Sequence, residues 1–151
     1  MKLKTLITLL LFALCTSFAF AQKTLPSAAE ILKYVNEHRN QIGKAPLTMN
    51  NTISAAAEQH SRDMATDKVP FGHDGFDERM AKLRQQLPPS YAFAENVAYG
   101  STTAKEVVDQ WLHSPGHKKN IEGDYNITGI GVARSADGTL YYTQIFLNRS
   151  K

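Results

Sequence analysis

The residues that could do chemistry are few. The 151-residue chain carries five histidines, His38, His60, His73, His113 and His117. His73 stands between Gly72 and Asp74 in a short loop, residues 71–75, where a backbone can be shaped and a side chain faces outward. Glu95 lies inside a mostly apolar stretch, residues 91–99, so its carboxylate must reach solvent or find a partner. His117 follows Ser114-Pro115-Gly116, a break expected to set its direction by a turn rather than by helical periodicity. Two imidazoles and a carboxylate form a partial shell for a divalent metal, zinc first among them, with water completing it. The same three groups could relay protons, because imidazole titrates near neutral pH. Three unconnected surface residues is the plain alternative, and spacing alone leaves both readings open.

Other arrangements fail on their chemistry. His38 and His60 fall on apolar helical stripes and read as hydrogen-bonded core residues. His113 and His117 have metalloprotease spacing, but Pro115 and Gly116 intervene and Ser114 stands where that motif needs Glu. Ser114 beside His117 reads as a cap or turn residue rather than a nucleophile. Gly129-Ile130-Gly131 is followed by Arg134 where a dinucleotide fingerprint needs its third glycine.

The elements that must position these groups are legible from period and punctuation. Ser27 with Glu30 is a capping box, and Ile31, Val35, His38 and Ile42 share one helical face that stops at Gly43. Asn51 or Thr52 caps a second helix whose stripe is Ile53, Ala56, Ala57, His60 and Met64. A short helix carries Phe76, Met80 and Leu83, and an exposed connector contains Pro88-Pro89. Residues 91–99 form a strand. Thr103 and Glu106 make a second capping box for a helix with Val107, Val108, Trp111 and Leu112 on its apolar face. Residues 128–134 and 139–147 pair as a hairpin through Asp137-Gly138. Gly129 and Gly131 leave room for an element packed close against the first of these strands. Helices against an antiparallel sheet define an α+β class.

Composition narrows the function. Residues 1–21 read as a secretory signal peptide, with Lys2 and Lys4, an apolar run and an Ala19-Phe20-Ala21 cleavage site. Cys15, the only cysteine, is lost with it, since Leu14 is not the small residue a lipidated cysteine normally follows. Residues 22–29 form a short leader and residues 30–151 one domain, large enough for its own core. A mature chain without cysteine has no thiolate nucleophile, no Cys-ligated zinc and no disulfide framework. Fifteen basic against fourteen acidic side chains in that mature chain give no polybasic surface for nucleic acid. No later segment is long and apolar enough to span a membrane.

The motifs, in order, resemble the CAP superfamily: cysteine-rich secretory proteins, antigen 5 and plant pathogenesis-related proteins. They are Asn36-Glu37-His38-Arg39 followed by Gly43 and Pro46-Leu47, then residues 56–64, and then Phe71-Gly72-His73. Glu95-Asn96-Val97 follows, and residues 107–111 lead into Ser114-Pro115-Gly116-His117. Gly129-Ile130-Gly131-Val132 and Tyr142-Thr143-Gln144-Ile145-Phe146 close the set. Each motif is weak alone; their order over residues 30–148 is specific, and Ser-Pro-Gly-His suits a short prokaryotic-type branch. The resemblance implies a three-layer α-β-α sandwich with a central, mainly antiparallel sheet. It implies one cleft holding His73, His117 and Glu95, with Asn96 alongside and a divalent metal, zinc, on the two histidines. The family's second glutamate falls at Ser114, and Asp74, Asp77 and Glu78 are acids that could stand near the first histidine instead. The function implied is a secreted, non-catalytic binding domain, a monomer outside the cytoplasm (extracellular or periplasmic), holding a metal and a small, lipid-like or peptide ligand. The alternatives are a metal-dependent hydrolase or protease with Glu95 as general base on a bound water, or a purely structural extracellular module.

Overall fold

The computed structural model describes residues 24–87 and 89–149, so the expected signal peptide and Cys15 lie outside the described residues. Five helices and four strands follow in the order α1 (Ala28–Gln41), β1 (Thr48–Met49), α2 (Asn51–Ala65), α3 (Phe76–Gln86), β2 (Ser90–Tyr99), α4 (Ala104–Leu112), α5 (Pro115–Ile121), β3 (Ile127–Arg134) and β4 (Leu140–Arg149). Both capping boxes form: Ser27 and Glu30 bond reciprocally at α1, and Thr103 and Glu106 at α4. Helix α1 already runs through the last residues of the expected leader.

The sheet order is β1-β3-β4-β2. The β3–β4 and β4–β2 pairs are antiparallel, and the two-residue β1 lies parallel to β3. Alternation along β4 assigns the two faces. Tyr142 and Phe146 point into a core with Ile31 and Val35 of α1, Val107, Val108 and Trp111 of α4 and Ile121 of α5. Ile145 and Leu147 point the other way, against Ile53 and Ala57 of α2 and Met80 and Leu83 of α3. The result is the α-β-α sandwich, with the sheet between α1, α4 and α5 on one side and α2 and α3 on the other.

The two small residues of β3 explain how α2 reaches the sheet. A Cβ on Gly129 would sit 2.3 Å from the Ile53 carbonyl carbon, and one on Gly131 would sit 2.1 Å from the Glu58 nitrogen. Helix backbone therefore rests on strand backbone, and Ser61 completes the contact: its hydroxyl donates to the Gly131 carbonyl at 3.1 Å and shares a hydrogen bond of 2.9 Å with the Thr143 hydroxyl.

Three local expectations are corrected. The cap of α2 is Asn50, one residue earlier than read, because its side chain accepts from Ile53 N–H. The connector after Pro46-Leu47 carries β1, which adds a parallel edge strand. The segment after Ser114 is a new helix rather than a turn. Ser114 is the N-cap of α5 and Pro115 its first residue, where a missing N–H costs nothing. His117 therefore takes its direction from a helix after all.

Helix α5 is held from below by Arg39 on α1. This guanidinium is 2 % exposed and donates to the carbonyls of Ala45, Ile121, Gly123 and Tyr125. Burial pushes its pKa below the ordinary arginine value.

Candidate functional site

Strand β2 is an edge of the sheet, and consecutive residues on it face opposite layers. Glu95 turns toward α2 and α3. Asn96 turns toward α5, where its amide donates to the His117 carbonyl at 3.1 Å and its side-chain oxygen accepts from Asn120 at 2.8 Å. Asn120 also donates to the Glu95 carbonyl at 3.3 Å, and the Trp111 indole N–H to the Val97 carbonyl at 3.2 Å. The outer edge of β2 is thus bonded by side chains of α4 and α5, which fixes the helix that carries His117.

Glu95 found its partner inside the protein. Its side chain is 1 % exposed, and Arg79 of α3 grips it side-on. Arg79 Nε donates to Oε2 at 3.1 Å, and Nη2 lies 2.8 Å from both oxygens. His73 Nδ1 lies 3.0 Å from Oε1. A carboxylate accepts, so Nδ1 carries the proton of this bond and Nε2 keeps its lone pair, on a half-exposed ring. Arg79 also donates to the Asp74 carbonyl at 2.7 Å, which ties the loop of residues 71–75 to the same pair. His60 donates Nε2–H to the Gly72 carbonyl at 2.9 Å and stands 3.9 Å from Glu95 Oε1, an electrostatic contact only.

His117 is half-buried. Burial, and after it the charge of His73, hold its pKa below the ordinary imidazole value. Burial acts first on His60 too and lowers its pKa; Arg79 pushes the same way, while the Gly72 carbonyl and Glu95 pull against it. A depressed imidazole is neutral and keeps a lone pair.

The structure therefore brings His73 and Glu95 into contact and sets His117 within electrostatic reach of His73. Asn96 serves the helix side of β2. Ser114 is the N-cap of α5 without a side-chain cap bond, and among the described residues it is not hydrogen-bonded to Glu95 or His73. Among the described residues, no group of three or more His, Cys, Asp or Glu side chains converges as a metal site. Asp77 and Glu78 lie exposed in the first turn of α3, and Asp74 contributes only its carbonyl. Arg79, His60 and Asn120 are the site residues that sequence reading missed. Arg79 carried no local signal, whereas His60 is buried and hydrogen-bonded as expected, yet sits beside Glu95. A groove of about 520 Å³ between α2 and α3, lined by Ala55, Ala56, His60, Arg79, Lys82 and Leu83 among others, opens onto the partners of Glu95 and not onto His73 or His117.

Comparison with known proteins places this three-layer sandwich and its His–Glu edge in a family. The chain belongs to the CAP family, the cysteine-rich secretory protein family, whose model matches residues 32–146. An uncharacterized protein of Bacillus subtilis, YkwD, is 35% identical over 127 residues, 80% of this chain and 46% of its own length. An extracellular SCP-domain protein of Bacillus anthracis superposes with a TM-score of 0.68 at 25% identity, over 80% of this chain and 40% of that one. An outer surface protein of Borrelia burgdorferi shares the fold with a TM-score of 0.67 at 21% identity, over 85% of this chain and 99% of its own. The chain spans less than half the length of the curated relatives it matches. No helix among the described residues is long and apolar enough to cross a membrane.

Proposed function

We propose that this protein is a secreted, non-catalytic binding domain whose cleft takes a divalent metal and a small or lipid-like ligand. The observation that carries this reading is the engagement of Glu95. A general base must be free to accept a proton from water, and both oxygens of this carboxylate are already held by Arg79 and one also by His73. A carboxylate so held suits a different task, that of orienting an imidazole for ligation.

The donor set fits a metal in that limited way. His73 would ligate through Nε2 and His117 through its own ring, with water or a ligand donor filling the remaining positions. A bound zinc would supply Lewis acidity and an attachment point for a ligand's carbonyl or carboxylate. The depressed pKa of His117 favours the neutral, ligating ring. Catalytic zinc sites ordinarily have three protein ligands, and two imidazoles fall short of that. The α2–α3 groove, with Ala55, Ala56 and Leu83 in its lining beside His60 and Arg79, supports a separate place for a small or lipid-like ligand, apart from the two histidines. Secretion is supported by the signal-like start of the sequence and by the extracellular and surface relatives.

Zinc titration calorimetry on the mature domain and on His73→Ala and His117→Ala tests the metal. One equivalent is expected for wild type and at least tenfold weaker uptake for each variant; equal uptake by both variants overturns the site. Hydrolysis panels of peptides and esters with wild type and Glu95→Gln test the alternative. Turnover by wild type that Glu95→Gln abolishes would replace the binding reading with catalysis.

A further inference from the structure

The loop of residues 71–75 must present His73, yet its backbone has unusual freedom. Gly72 and Gly75 adopt φ of +148° and +73°, and a Cβ on Gly72 would meet nothing within 4 Å. Glycines in such regions open many other conformations to a loop. A single bond from the half-exposed His73 ring to Glu95 restrains it only weakly. Other pins act from Gly72 onward. His60 holds the Gly72 carbonyl, Arg79 holds the Asp74 carbonyl, and the Phe76 N–H closes on the His73 carbonyl at 3.0 Å. Among the described residues, no backbone–backbone hydrogen bond holds Phe71, so the start of the loop depends on its side chain.

That side chain is anchored on the sheet. The Phe71 ring meets Tyr99 edge-on with centroids 4.7 Å apart and lies 6.5 Å from Tyr141, while Tyr99 stacks on Tyr141 at 5.9 Å. These are contact distances for aromatic pairs, so the rings engage one another and leave no gap between them for a guest. Tyr99 and Tyr141 are register partners on β2 and β4. Tyr99 stands four residues beyond Glu95 and Tyr141 four before Ile145, so both lie on the sheet face that carries α2 and α3.

One strand therefore carries two clips for one loop: Tyr99 receives Phe71, and Glu95 receives His73. We infer that Phe71 is a positioning residue for His73: seated on Tyr99 and Tyr141, its ring sets the start of the loop so that the imidazole keeps Nδ1–H on Glu95 and offers Nε2. The purpose of this arrangement rests on the metal reading proposed above; the arrangement itself does not. Loss of the anchor lowers the fraction of chains in which His73 is so presented, and metal affinity falls by the same fraction.

The test compares wild type, Phe71→Ala and Phe71→Tyr by two readouts. Long-range proton–nitrogen NMR of the imidazoles, without added metal and at mildly alkaline pH, reports which His73 nitrogen carries the proton. Calorimetric titration with zinc alone reports affinity. Wild type should show the Nδ1–H tautomer. Phe71→Ala should show the two tautomers averaged and bind zinc roughly threefold to tenfold more weakly, the size of one lost aromatic pair. Phe71→Tyr, which keeps the ring, should restore the tautomer and bring affinity to within about twofold of wild type. Far-UV dichroism and Trp111 emission check that each variant is folded. A folded Phe71→Ala with the wild-type tautomer overturns the inference, whatever its melting point, and so does a Phe71→Tyr no better than Phe71→Ala. Absence of zinc uptake by wild type would overturn the metal reading instead, and the tautomer comparison would still decide the role of Phe71.

Discussion

Replacing Arg79 with Met strips Glu95 of its main partner while keeping most of the packed stem. Glu95 is 1 % exposed and Arg79 15 %, so the charge left behind is the buried one. Breaking a buried pair from one side ordinarily costs about 3–5 kcal/mol. The His73 bond at 3.0 Å survives, and His60 remains 3.9 Å away, so the low end applies, about 3 kcal/mol. For a domain of this size that corresponds to a melting point lower by roughly 10 °C. Trp111 is the sole tryptophan, is fully buried and bonds the Val97 carbonyl two residues from Glu95, so its emission during urea unfolding reads this region directly. The double variant Arg79→Met/Glu95→Gln removes both charges and keeps an acceptor for His73. It should lose less than Arg79→Met alone, because no charge is left stranded. A loss below about 1 kcal/mol in the single variant, the scale of a surface pair, would refute the reasoning. So would a double variant less stable than the single one.

Three further outcomes follow from the same geometry. Gly131→Ala forces a Cβ to 2.1 Å from the Glu58 nitrogen, so α2 must lift off β3; a loss of about 3 kcal/mol or failure to accumulate folded protein is expected in a thermal melt. Arg39→Met leaves four carbonyls around the end of α5 without their donor, and hydrogen exchange should speed up in α5 before it does in α2. The folded-state pKa of His60 is held below its unfolded value near 6.5, so the unfolded chain binds the extra proton first. The stability this contributes is present above about pH 6.5 and is lost as pH falls through the depressed folded pKa. His60→Gln should flatten the melting-point profile on the acid side of about pH 6.5; an unchanged slope there would exclude His60 as its source.

Much of the fold was written locally. The capping boxes at Ser27/Glu30 and Thr103/Glu106 formed because their partners sit three residues apart and need nothing from the rest of the chain. Asp137-Gly138 closed its hairpin for the same reason. Gly129 and Gly131 announced a close neighbour without naming it, and packing supplied α2. The misreadings had short-range causes of their own. Pro115 and Gly116 look like a stop, yet proline is equally at home in the first turn of a new helix, and only the seat of α5 on Arg39 and β2 chose between the two.

Residue types alone drew attention to histidine and carboxylate, since the only cysteine, Cys15, stands in the signal-like start of the sequence. They also made Glu95 conspicuous, because a charge in an apolar strand needs an answer. What answers it was decided by tertiary structure. Arg79 is sixteen residues away in sequence on a helix across the loop, and His60 reaches the same carboxylate from α2. Local periodicity acts over one or two turns, whereas such a meeting depends on the register of β2 against β4 and on the depth at which α2 lies on β3. The same physics made Glu95 a buried counter-ion: the carboxylate is desolvated by one layer of the sandwich and paired with a cation from that layer.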